Sequence, residues 1–150
     1  MTKTLALLFG LLLSLTLTAQ AGLSRLEAIS MLETGDNDSI RGDAGEVSRY
    51  QLMPRVWRQY TNSVAYENPQ VSRWVAQQHL TYLEGWFAQQ AGRAPTEFEI
   101  YVLWNAGPTY YARKHFSVAA VHASIRERAE RFVNLREMKN FASASDARNR

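Results

Sequence analysis

The segment ETGDNDSIRGDAGEVSRYQLMP, Glu33 to Pro54, opens with an acid, runs through Gly, Asp, Asn and Ser, and closes on Tyr50-Gln51-Leu52-Met53-Pro54. A polar loop of this length inside a compact domain is uncommon and tends to carry function. Glu33 itself is oddly placed. Leu26, Ile29 and Glu33 fall at i, i+3 and i+7, so the acid shares the apolar stripe of the helix that precedes the loop. That helix stops at Gly35, a natural C-terminal breaker. An acid in the last turn faces the negative end of the helix dipole. Partial burial and the dipole both disfavour its charged form, which is the setting of a general acid. The competing reading is a solvated acid at a frayed helix end.

Upstream of the segment, Ser24-Arg25-Leu26-Glu27 is a capping box that opens a helix running to about Thr34. Before it, residues 1–21 have the layout of a secretory signal peptide: Lys3, an apolar run over Leu5–Leu17, and Ala19-Gln20-Ala21 as a small-residue cleavage site. The apolar run is short for a membrane-spanning helix. The sequence contains no Cys, which leaves no lipid-attachment residue, disulfide or thiolate metal site. The expectation is a periplasmic or secreted protein with no stable membrane anchor after cleavage.

Downstream, a short helix is expected from Pro54 to Tyr60, with Val56, Trp57 and Tyr60 facing inward. Asn68-Pro69 reads as N-cap and first helical position. Val71, Trp74, Val75, His79, Tyr82, Leu83, Trp86 and Phe87 then keep helical spacing until Gly92. His79 on that stripe reads as a hydrogen-bonded packing residue. Thr96-Glu97-Phe98-Glu99 is a second capping box, opening a helix that ends at Asn105-Ala106-Gly107-Pro108. Asn105 continues the face of Phe98, Tyr101 and Val102, where a buried amide would need partners; the plainer reading is a helix-end Asn bonding local backbone. Ser117 is read as the cap of a last helix carrying Val118, Val121, Ile125, Ala129 and Phe132. Its other face, Arg126, Glu127, Arg128, Glu130 and Arg131, reads as solvated. Strand signals are confined to a short extended piece or hairpin near residues 46–51. The fold class is therefore mainly α. The expected organisation is a removed signal over 1–21, one domain over 22–138, and a small, polar tail over 139–150.

The chain has 150 residues and a formal charge of +3. Removing residues 1–21 takes away Lys3 and no acid, lowering that charge by one. The balance suits an anionic polymer surface, but no basic cluster points to nucleic acid. His79, His115 and His122 are scattered and form no HExxH, so no metal and no cofactor is expected.

Four of these features, in this order, resemble the lysozyme-like lytic transglycosylases of the SLT type (glycoside hydrolase family 23), which include the goose-type lysozymes. The likeness spans Leu26 to Lys114. Glu33-Thr34 matches a catalytic Glu that ends a helix and is followed by Ser. Gly45 to Pro54 matches a glycine-containing segment with a Gln, and Gln51 lies 18 residues after Glu33. Asn68-Pro69 with Tyr82-Leu83 matches an NPxxxxxxxxxYL helix. Trp104-Asn105-Ala106-Gly107 matches a Tyr-Asn-Ala-Gly turn. The chain departs from the pattern at Thr34, at Ser48-Arg49 where a Gly is usual, and at Trp104, which lacks a hydroxyl that Tyr101 or Tyr110 could replace. Gly42-Asp43-Ala44-Gly45 resembles the acid-bearing Gly-Asp-x-Gly setting of goose-type enzymes.

The resemblance implies a lysozyme-like single domain. It implies cleavage of the β-1,4 bond between N-acetylmuramic acid and N-acetylglucosamine in peptidoglycan glycan strands. Glu33 would be the general acid and base, and a 1,6-anhydro sugar the product. Gln51 and Asn105 would hold substrate groups, with Tyr50, Tyr110 and Tyr111 as stacking candidates and Asp43 and Glu46 as further acids of the site. Two alternatives compete. One is a muramidase- or chitinase-type hydrolase in which Asp43 or Glu46 positions a water. The other is a non-catalytic peptidoglycan-binding module, for which Arg49 and Trp104 are the best support.

Overall fold

The computed structural model describes residues 22–137. The signal segment over 1–21 and the tail over 139–150 lie outside these residues, as does Met138 at the end of the expected domain. The described chain is mainly helical, with α1 over Arg25–Thr34, α2 over Pro54–Trp57, α3 over Pro69–Ala91, α4 over Glu97–Ala106, α5 over Pro108–Arg113 and α6 over Ala123–Glu137. The only extended pairing among the described residues is between Val47 and Leu52, which exchange backbone hydrogen bonds of 2.8 and 3.0 Å. It sits where the sequence predicts a short hairpin.

The caps behave as the sequence predicts. Ser24 with Glu27 and Thr96 with Glu99 form reciprocal capping boxes, and the Asn68 side chain accepts from the backbone of Gln70 and Val71 with Pro69 at the first helical position. Gly35 and Gly92 end α1 and α3 in the left-handed conformation.

The helix α4 lies at the centre. Every residue from Glu99 to Trp104 is buried, so this stretch is enclosed all round rather than on one stripe. It packs on α6, α5 and α3, while α6 also crosses α1. The core they enclose includes Ile29, Trp57, Leu83, Phe87, Ile100, Leu103 and Phe132. At one end Arg25 pairs with Glu97 at 2.7 Å and with Glu84, and Arg136 reaches Glu97 at 3.1 Å, tying together α1, α3, α4 and α6.

Three expectations are corrected. Regular helix α2 stops at Trp57 rather than Tyr60, its last residues continuing as turns. On α3, Trp74 and Tyr82 are half exposed, and Ala76 and Leu80 fill the buried face instead. The last helix starts at Ala123, not Ser117: Pro108 nucleates α5, and a 3-10 turn over Val118–Ala120 precedes α6. Proline stops the helix before it and also fits the first turn of the next, so Gly107-Pro108 is a junction rather than a terminus.

Candidate active site

Glu33 stands in the last turn of α1 with its side chain only 8 % exposed. Two hydrogen bonds converge on it from distant parts of the chain. The Tyr101 hydroxyl on α4 donates to Oε1 at 2.7 Å, and Nη2 of Arg128 on α6 donates to Oε2 at 2.6 Å. Arg128 Nε in turn donates to the Tyr101 hydroxyl at 2.8 Å, closing a three-residue ring. Burial and the neighbouring Glu33 carboxylate push the Tyr101 phenol well above its ordinary range, so it stays protonated and acts as a donor. The fold thus supplies a cation for an acid whose surroundings in the sequence disfavour charge.

Arg128 is the residue that sequence reasoning assigned to a solvated face. It lies at the rim of α6, four residues before the fully buried Phe132 and next to the buried Ala129. That spacing from an apolar anchor is the signal that could have brought it inward.

The loop beyond Glu33 is braced by its own side chains. Thr34 Oγ1 donates to the Arg49 carbonyl at 3.1 Å and accepts from Asn37 N–H at 3.1 Å, so the hydroxyl that follows Glu33 anchors the loop. The Arg49 guanidinium bonds Asp38 through Nε at 2.6 Å and through Nη2, and Asp36 through Nη1 at 2.5 Å. This pairing holds the Asp38 carboxyl below its usual range. Ser48 takes a left-handed φ of +63°, so the backbone conformation that a Gly would suit is present and is carried by Ser. Gln51, also at positive φ, donates from Nε2 to the carbonyls of Ile40 at 3.2 Å and Ser48 at 3.1 Å. Glu46 Oε2 accepts from Ala44 N–H at 3.0 Å. A Cβ at Gly42 would collide with the Glu46 carboxylate and the Gln51 amide, so any other residue there would have to displace the ends of both side chains. Trp104 donates from its indole N–H to the Tyr50 carbonyl at 3.3 Å, pinning the loop to α4.

The result is a cavity of about 440 Å³ lined by Glu33, Asp43, Glu46, Gln51, Asn105 and Arg128, with Arg41 and Trp104 also in its wall. A second cavity of about 370 Å³ shares Glu46, Gln51, Trp104 and Asn105 with the first and adds His79, Met53 and Arg55. The two cavities adjoin at these four shared residues, outlining a groove. His79 is nearly buried and bonded to the Tyr60 hydroxyl at 3.0 Å, and burial lowers its pKa to about 4.

Five of the eight sequence-predicted site residues therefore meet in one place: Glu33, Asp43, Glu46, Gln51 and Asn105. Asn105 is exposed on the cavity rather than buried in the core, which corrects its assignment to the inward face of α4. The other three lie apart. Tyr50 is 2 % exposed and belongs to the core, where its carbonyl, not its ring, serves the site. Tyr110 accepts from the His122 backbone N–H at 2.9 Å and lines neither cavity. Tyr111 is fully buried, donating to Glu99 and to the Phe116 carbonyl at 3.0 Å each.

No family model, no curated protein and no solved structure matches the chain. Three of the four motifs contribute residues to this cavity, through Glu33, through Glu46 and Gln51, and through Trp104 and Asn105.

Proposed function

We propose that the chain is a peptidoglycan lytic transglycosylase that cleaves the β-1,4 bond on the reducing side of N-acetylmuramic acid, acting as a secreted or periplasmic enzyme. The observation that carries this reading is the nearly buried Glu33 carboxyl, held by Tyr101 at the wall of a groove that also presents Gln51 and Asn105. Glu33 protonates the leaving glycosidic oxygen as the C1–O bond breaks. It then takes the proton of the muramyl 6-hydroxyl as that oxygen bonds to C1. One carboxyl therefore serves as acid and then base, and no water is consumed. The two-carboxylate rule of glycosidases has substrate-assisted exceptions of this general kind. Gln51 and Asn105, which line the same cavity, would hold N-acetyl or hydroxyl groups of the glycan.

The two departures that favoured a binding module have structural uses here. Arg49 clamps the loop and Trp104 ties it to α4, so both build the wall of the groove. The hydrolase reading keeps a specific observation in its favour, because Asp43 and Glu46 line the same cavity as Glu33. Digestion of purified peptidoglycan in heavy-oxygen water separates the two. A transglycosylase releases anhydromuropeptides free of label. Label at the new muramyl ends would overturn the transglycosylase reading in favour of water attack.

A further inference from the structure

Arg128 is not part of the four motifs, yet it is bonded to the acid that the proposed chemistry depends on. Its two bonds, from Nε to Tyr101 and from Nη2 to Glu33, use two of the five N–H donors of a guanidinium. The side chain is 39 % exposed and lines the cavity that holds Glu33. A guanidinium in such a place is suited to bidentate recognition of a carboxylate. The cavity wall has a second cation, Arg41, whose guanidinium lies over the Tyr66 ring with its carbon 5.4 Å from the centroid. Opposed to these are Asp43 and Glu46, and Glu46 is already engaged by the Ala44 backbone.

The present arrangement also conflicts with proton donation. Tyr101 and Arg128 donate to both oxygens of Glu33, whereas the first step of glycoside cleavage needs one of them turned to the substrate with a proton to give. Something must draw the guanidinium away from Oε2 when substrate binds. A carboxylate on the substrate would do so by competition: a bidentate pair engages Nη1 and Nη2 together and turns the half-exposed guanidinium toward the incoming acceptor at the expense of Oε2.

We propose that Arg128 is a specificity determinant, accepting a carboxylate carried by the muramyl substituent of the glycan and releasing Glu33 Oε2 as it does so. This rests on the glycosidase reading of the groove. The carboxylate has two possible sources: the free lactyl group of a peptide-free strand, or a carboxylate of the attached peptide.

The test compares wild type, Arg128→Gln and Arg128→Lys on three soluble substrates: peptide-bearing glycan, the same glycan stripped of peptide by an amidase, and chitin oligosaccharides, which carry no carboxylate. For wild type, kcat/KM on one of the carboxylate-bearing glycans exceeds that on chitin oligosaccharides, and the preferred glycan identifies the source. In Arg128→Gln this preference falls about 10- to 100-fold, the size of a lost hydrogen bond to a charged group, and the loss appears mainly in KM. Arg128→Lys restores part of it. Thermal melting of each variant confirms that folded protein is compared. A preference unchanged by Arg128→Gln, or an equal loss on all three substrates, overturns the role of Arg128 and leaves the glycosidase reading standing. Wild-type protein inactive on all three overturns both.

Discussion

At Glu33 two hydrogen bonds with different consequences meet on one carboxyl. Tyr101 is neutral and buried, so it fixes the orientation of Oε1 without adding charge. Arg128 is a cation and brings a positive charge to within 2.6 Å of Oε2. The two can be separated by substitution. Glu33→Gln keeps the shape and removes the transferable proton, so lytic activity should fall by at least roughly 10²–10⁴-fold with the fold retained. Tyr101→Phe should lower kcat by roughly 10- to 100-fold, as expected for one lost bond to an ionised group, and leave a measurable enzyme. A Glu33→Gln protein with most of its wild-type turnover would remove this residue from the chemistry. The position of Glu33 was legible in the sequence because Leu26 and Ile29 share its helix face. Its partner Arg128 was not, since it lies 95 residues away and its neighbours Glu127, Glu130 and Arg131 give the helix a solvated look. A short-range pattern has no access to a pairing of that range.

At the scale of elements, the caps were readable and the junctions were not. Ser24, Asn68 and Thr96 start their helices as their side chains dictate, because a cap is a contact within three residues. The start of α6 at Ala123 depends instead on α5 and on a reversal in which His115 and Phe116 both take positive φ. Phe116 holds that reversal by packing edge-on against Phe87 and Tyr111. The loop from Gly35 to Met53 lies between these cases. Its glycines and acids announce a functional loop, but only the fold reveals that Arg49 closes it by binding Asp36 and Asp38. Arg49→Ala should therefore loosen the wall that carries Asp43, Glu46 and Gln51 while sparing the helices. Partly exposed ion pairs contribute little to global stability, about 0–1 kcal/mol each. The expected outcome is a melting temperature lowered by a few degrees, an unchanged helical circular dichroism spectrum, and activity reduced by more than the stability change explains. Full activity in that variant would mean that the loop holds its shape through Thr34, Gln51 and Trp104 alone.

For the molecule as a whole, the buried ionisable groups predict how the fold fails in acid. Two groups inside the helical core, His79 and Glu99, have pKa values displaced strongly downward, and both make the native state bind fewer protons than the unfolded chain. His79 is held neutral by burial, with its pKa lowered from 6.5 to about 4. Its stabilising effect is present above the unfolded value and is lost as pH falls from about 6.5 toward 4. For Glu99, burial opposes the charge, but hydrogen bonds from Arg93, Thr96 and Tyr111 outweigh it and lower the carboxyl from 4.5 to about 2. Its contribution is intact above 4.5 and is lost between about 4.5 and 2. Acid unfolding should then begin with the groove-lining histidine and finish with the carboxylate that joins α4 to α5. While one such group titrates alone, the slope is at most about 1.4 kcal/mol per pH unit. His79→Gln removes the titration and retains a polar side chain toward Tyr60. The variant should be less stable than wild type near pH 7, where its packing is poorer, yet lose less stability between pH 6.5 and 4.5. Urea unfolding at several pH values across that window measures both slopes. Parallel slopes for the two proteins would show that His79 protonates alike in the folded and unfolded chains, and that the acid sensitivity of the fold lies with its carboxylates.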